Sequence, residues 1–247
     1  MTALVLQARL DSTRLPGKSM LPLDGRPLIL RVMEAFAFSP WEEKILACPE
    51  DCVSSFAPLA QEAGFTIVTG PKEDVLARYC IAVRCTGADR IIRATGDNPF
   101  VFVDAAEVLH REAIDAGADY AAYSDLPIGA GVESIASEAL FRAEREAASA
   151  MEREHVCPYL YGHGELFRLH RPPAPSAWQG PDLRLTVDTR EDYGQAQALY
   201  GLLLSLSPEQ RSLGENIIGV MRNMLANDTA SEKTSGKTRG ETSGETR

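Results

Sequence analysis

Apolar residues recur along the first hundred positions in two alternating periods. Residues 4–8 (LVLQA) read as a buried strand. Residues 9–23 form a polar loop containing glycine and proline. Leu28, Ile29, Val32, Met33 and Phe36 then recur at helical spacing, with Pro27 placed to begin that helix. A second short strand is expected over residues 44–47. A helix over 53–63 follows, ended by Gly64, and then a third strand over 65–68. Residues 73–83 read as a helix with Leu76, Tyr79, Cys80 and Val83 on one side, stopped at Gly87. Residues 90–94 supply a fourth strand. Strand, loop and helix in alternation predict an α/β fold with a mainly parallel sheet covered by helices on both faces. In such folds ligands sit beyond the carboxyl ends of the strands. The loop of residues 9–18 should therefore meet Gly96, Asp97 and Asn98.

Beyond residue 100 the pattern is less regular. A helix is expected over 103–116, and short strands and turns over 118–134. Another helix spans 137–150, with Ser137 as a candidate N-cap and Glu138 suited to the helix dipole. Residues 165–170 and 183–187 read as strands around a proline-rich turn, followed by helices over 191–204 and 209–225. From Asp228 the apolar periodicity ends, and serine, threonine, glycine and charged residues dominate. The expected organisation is a single domain over 1–227, with an irregular acceptor-side region at about 118–181 and a disordered tail over 228–247.

The length of 247 residues and an apolar share of 45% allow one sizeable core. The net charge of −10 weighs against broad nucleic-acid binding, which needs a basic stripe. Five cysteines, an odd number without a CxxC pair, read as reduced thiols of a cytoplasmic protein. The apolar start is too short and too soon charged for a signal peptide. No stretch reaches membrane-spanning length, so no membrane partner is expected.

Candidate chemistry gathers at two strand ends. Arg9, Arg14 and Lys18, interleaved with Ser12, Thr13 and Gly17, suit a polyphosphate loop: glycine permits close backbone approach, and the cations neutralise phosphate. A solvated basic loop is the plainer alternative. Asp97 and Asp188 each follow an apolar strand segment and could together hold Mg²⁺, which prefers oxygen ligands. Each could instead cap a local turn or helix. The Walker loop, the dinucleotide glycine fingerprint and the serine-hydrolase elbow are all missing.

The segment QARLDSTRLPGK at residues 7–18 resembles the signature of SpsF-type polysaccharide-biosynthesis cytidylyltransferases. It is also similar to the opening loop of 3-deoxy-manno-octulosonate and acylneuraminate cytidylyltransferases. The likeness continues at TGPKEDVLARY (69–79), RATGDNP (93–99), REHV (153–156) and VDTRED (187–192), over roughly residues 3–206. This resemblance implies a GT-A-like nucleotide-binding fold, commonly dimeric, that transfers CMP from CTP to a small acceptor and releases pyrophosphate. The acceptor would be an acidic sugar, a sugar phosphate or a related compound. It assigns Arg14, Lys18, Asp97 and Asp188 as the catalytic set, with Mg²⁺ on the two aspartates. Nucleotide contacts fall on Gln7, Ala8, Arg9, Arg14, Lys18, Thr69, Gly70, Asp74 and Arg78. Acceptor contacts fall on Asn98, Glu133, Arg153 and His155. Asp74 has the alternative of capping a helix, and His155 that of a structural role. A GT-A glycosyltransferase using a nucleotide-sugar, and a non-catalytic nucleotide-binding or assembly protein, stand as the competing functions.

Overall fold

A computed structural model of the chain describes the backbone of residues 1–238 and the side chains of residues 1–227. Strand β1 (Thr2–Gln7) leads through a small hairpin, β2 (Pro22–Leu23) and β3 (Arg26–Pro27), into helix α1 (Leu28–Ala35). Next come β4 (Glu43–Cys48), α2 (Val53–Glu62), β5 (Thr66–Thr69), α3 (Val75–Thr86), β6 (Arg90–Thr95) and α4 (Val103–Asp115). The irregular half contains β7 (Tyr120–Ala121), β8 (Glu133–Ala136), α5 (Ser137–Glu146), α6 (Ala150–His155), α7 (Pro158–Gly162) and β9 (Leu169–His170). Two helices close the description, α8 (Arg190–Leu203) and α9 (Gly214–Thr238).

The seven-stranded sheet runs β5-β4-β1-β6-β8-β7-β9. β5, β4, β1 and β6 are mutually parallel, and only β8 opposes its neighbours. Alternation along β1 sends Leu4 and Leu6 to one face and Ala3 and Val5 to the other, all fully buried. The first face packs on α1, α2, α4, α8 and α9, and the second on α3, α5 and α7. The mainly parallel α/β sheet covered on both sides is thus as the pattern implies. The chain builds outward from β1 to β4 and β5, then returns to place β6 on β1's other edge. The strand order therefore reverses between β1 and β6, which opens a crevice at their carboxyl ends.

Four local expectations are corrected. Residues 183–187 form no ladder strand. They are held by a single bridge between Ile128 and Arg184 and by Leu185 N–H donating to Ile128 at 2.8 Å. Residues 165–168 are turn, and strand pairing is confined to β9. Ser137 is the first residue of α5 and not its cap, because its hydroxyl is used to tie α5 to the Ala88 carbonyl. Helix α9 continues through Thr238, past the boundary expected at 227. The rest of the expected tail, 239–247, lies outside the described residues.

Candidate active site

A cleft of about 530 Å³ opens at the carboxyl ends of β1 and β6. The loop after β1 forms one wall. Gly17, at φ 67°, lets the chain reverse into a short turn at Lys18–Met20. Buried Ser19 donates its hydroxyl to the Arg9 carbonyl at 2.8 Å, and Leu15 is buried beside it. The loop is therefore pinned from within, and Lys18 projects into the cleft. On the β6 side Gly96 N–H donates to the Gln7 carbonyl at 2.7 Å. A Cβ there would lie 2.7 Å from Ile29 and 2.8 Å from Ala8, so only glycine allows the two loops to close up.

Asp97 and Asp188 meet. Val187 N–H donates to the Asp97 carbonyl at 2.9 Å, which brings the extended segment 183–187 beside the turn that follows β6. Lys18 Nζ lies 2.8 Å from Asp97 Oδ2, 3.0 Å from Asp188 Oδ1 and 3.0 Å from the Val187 carbonyl. Arg14 reaches Asp188 Oδ1 at 3.0 Å, and Arg184 reaches its other oxygen at 2.7 Å. Burial pushes the Asp188 pKa upward, but the Lys18 hydrogen bond and the charges of Lys18, Arg14 and Arg184 outweigh it. The carboxyl is held below the usual range. Helix α8 is capped by Thr189, in a reciprocal box with Asp192, which leaves Asp188 outside the helix to face the cleft. Asp97 spends its side chain on Lys18, while Asn98 closes the local turn on Thr95. Neither carboxylate is the local cap that its sequence position allowed. Two carboxylates and a carbonyl turned toward one point make a hard-oxygen donor set, and they fit Mg²⁺.

Gln7, Ala8, Arg9, Asn98 and His155 also line the cleft. Arg9 is paired with Glu154 at 3.3 Å across it. Five other expected contacts sit elsewhere. Arg78 is fully buried behind the wall, donating to the Pro71 carbonyl at 2.8 Å, the Lys72 carbonyl at 3.3 Å and Gln7 Oε1 at 2.9 Å. Gly70 packs against Arg78's stem, and Thr69 ends β5; neither lines the cleft. Asp74 caps α3 by accepting from Ala77 N–H at 2.9 Å, and its second oxygen is taken by Arg153 at 2.6 Å. Arg153 also donates to the Glu144 and Ala147 carbonyls, so it braces α6 against α3 and α5 and does not face the cleft.

A second lobe of about 300 Å³ adjoins the first and shares Arg93, Thr95, Asn98 and Gly129 with it. Glu133 lies here, paired with Arg93 at 2.9 Å across the β6–β8 register. Burial works against the Arg93 charge, and facing Glu133 more than restores it. Gly129, at φ 91°, lets its backbone approach Thr186 so closely that a Cβ would sit 2.6 Å from Thr186 N. Arg93, Glu154 and Arg184 were not singled out from the sequence. A legible signal existed for two of them: Arg93 is a charge inside the apolar strand RIIRAT, and Arg184 stands four residues before Asp188.

The cytidylyltransferase family profile matches residues 3–217. The spore coat polysaccharide biosynthesis protein SpsF of Bacillus subtilis is 32% identical over 203 residues, which cover 79% of this chain and 85% of that protein. A cytidylyltransferase from Leptospira borgpetersenii has the same fold, with a TM-score of 0.81 and 24% identity over 92% of this chain and 95% of its own. A CMP:2-keto-3-deoxy-manno-octonic acid synthetase, solved with CTP, shares the fold at a TM-score of 0.65 and 19% identity, covering 83% of this chain and 99% of its own. The site at the strand reversal and the match along nearly the whole folded length agree: this chain belongs to the cytidylyltransferase family.

Proposed function

We propose that this enzyme transfers CMP from CTP to an acidic sugar or related small acceptor and releases pyrophosphate, with Mg²⁺ held by Asp97 and Asp188. One observation carries the reading. Two carboxylates from distant parts of the chain converge at the strand reversal beside Lys18 and Arg14. That combination suits a triphosphate and its metal. The CTP bound in the octonic acid synthetase structure supports the choice of nucleotide, and a 3-deoxy-manno-octulosonate cytidylyltransferase 32% identical over 105 residues supports the acceptor class.

In the proposed step an acceptor oxygen forms a bond to the α-phosphorus. The bond from the α-phosphorus to the α–β bridging oxygen breaks, its electron pair leaves with pyrophosphate, and a hydroxyl acceptor gives up its proton to solvent. When bound, Mg²⁺ withdraws charge from the phosphoryl oxygens. Arg14 and Lys18 neutralise the charge that grows on the departing pyrophosphate. Gln7 and Ala8 form the floor beneath the nucleotide, and Arg9 and His155 flank it. Asn98 and Glu133 face the lobe that receives the acceptor. The enzyme supplies alignment and charge and needs no covalent nucleophile. The same reading has a homodimer working in the cytoplasm.

The test is a pyrophosphate-release screen of the four common nucleoside triphosphates against pooled acidic and phosphorylated metabolites. Release with CTP and an acidic acceptor, abolished in Asp97→Asn and Asp188→Asn, is expected. Release of a nucleoside diphosphate from a nucleotide-sugar, with CTP inert, would overturn the reading.

A further inference from the structure

We infer that Lys18 and a divalent cation compete for the same place between Asp97 and Asp188, so that the metal enters only with a triphosphate that draws Lys18 away. This rests on the proposed assignment of Asp97 and Asp188 as metal holders. The Lys18 ammonium contacts both carboxylates and the Val187 carbonyl at 2.8–3.0 Å. Those are the oxygens that a cation at this point would use. Mg²⁺ binds oxygen at roughly 2.0–2.1 Å. An ammonium at hydrogen-bond distance from the same oxygens leaves no room for it.

Charge points the same way. Asp188 is in contact with three cations, Lys18, Arg14 and Arg184, and Asp192 shares Arg184. Asp97, Asp188 and Asp192 thus face Lys18, Arg14 and Arg184, which is formal neutrality. A divalent ion added alone would leave uncompensated positive charge in a half-buried cluster. Among the described residues no group of three or more His, Cys, Asp or Glu side chains is arranged to hold a metal, so the protein offers a bare ion few anionic ligands. A triphosphate changes both terms. It brings oxygen ligands for the metal and a stronger anion for the ammonium. Lys18 can make the exchange by rotation of its own side chain, while the pinned turn at Lys18–Met20 keeps its backbone in place. The lysine that neutralises the phosphates thereby also keeps bare metal out of the empty cleft.

The experiment titrates the full chain with Mn²⁺ alone, following the paramagnetic resonance of free ion, and repeats the titration with the non-transferable analogue α,β-methylene-CTP. Wild type, Lys18→Met and Asp97→Asn are compared. Lys18→Gln serves in place of the methionine variant if that chain does not fold. Removing a cation at contact distance should tighten Mn²⁺ binding by about tenfold or more. The analogue should then strengthen Mn²⁺ binding far more in wild type than in the Lys18 variant. Unchanged or weaker binding of Mn²⁺ alone by the Lys18 variant, while Asp97→Asn abolishes the binding of Mn²⁺ seen with the analogue, would overturn the competition and leave the metal assignment standing. An Asp97→Asn chain that binds Mn²⁺ like wild type in the presence of the analogue would overturn the metal assignment and the competition with it. Neither result touches the choice of CTP, which pyrophosphate release tests separately.

Discussion

Replacing Arg78 with methionine separates two roles that the motif alone could not. The resemblance implies a nucleotide contact, whereas the structure buries Arg78 completely and uses it to tie three points together. Its guanidinium joins the Pro71 and Lys72 carbonyls to the Gln7 side chain, that is, the loop before α3 to the floor of the cleft. Methionine keeps most of the volume and removes all three donors. Hydrogen bonds from a charged group contribute about 1.5–3 kcal/mol each, but effects within one network are not additive. A loss of about 3–5 kcal/mol is expected, the equivalent of about two such bonds, with the three acceptors left short of a donor. For a chain of this size that lowers Tm by about 6–20 °C. The pKa of Arg78 is lowered, chiefly by burial, so the native bonds work against a desolvation penalty and the lower half of the range is the better expectation. Calorimetric unfolding gives the stability, and titration of CTP well below the new Tm gives the affinity. A large fall in Tm with CTP affinity within about fivefold of wild type fits a brace. A Tm within about 3 °C of wild type, together with a loss of CTP affinity beyond tenfold, would refute the reasoning and put Arg78 on the nucleotide.

Three further outcomes follow from the same geometry. Gly129→Ala forces a side chain onto φ 91° and onto the Thr186 backbone; a loss of about 2–4 kcal/mol is expected by chemical denaturation, with lower turnover because Asp188 lies two residues on. Arg153→Met should cost about 1–3 kcal/mol by removing the brace from α6 to Asp74 and two carbonyls, and titration should find CTP affinity little changed. The folded Asp188 pKa is depressed, so its contribution is present above the unfolded value and lost as pH falls through the folded one. Below about pH 4 the Asp188→Asn chain should therefore lose stability less steeply than wild type, as measured by unfolding across an acid series.

The first half of the fold was legible because each strand and helix declares its period and its stop within a few residues. Pro27 and Gly87 stand at helix ends in the structure as their chemistry predicts. The second half was harder to read because its order comes from long-range contacts. Residues 183–187 alternate like a strand, yet their partners are the N–H and carbonyl of Ile128 and the carbonyl of Asp97, so the stretch is held straight without a ladder. The site divides in the same way. Asp97 was legible because it follows β6, where sheet topology fixes direction; Lys18 lies in the loop that β1 sends over the same edge, and Asp188 follows an extended segment that reads as a strand although it joins no ladder. Asp74, Arg78 and Arg153 carry charge that sequence cannot distinguish from ligand-binding charge, and folding spends it on caps and carbonyls.

This division explains how an acidic chain can host a polyanion. The formal charge of −10 is an average over the whole sequence, and the cleft does not sample it evenly. Arg9, Arg14, Lys18 and Arg93 line the cleft, and each is paired with a carboxylate: Glu154, Asp188, Asp97 with Asp188, and Glu133. Paired cations are pre-positioned, since their side chains already hold one geometry. A triphosphate that displaces a carboxylate from such a cation exchanges one anion for another at little conformational cost. For Arg14 and Lys18 the carboxylates released by that exchange are Asp97 and Asp188, the two proposed to hold a divalent ion. On the proposed assignment, ion pairs that look like stabilising bridges would couple nucleotide binding to metal binding.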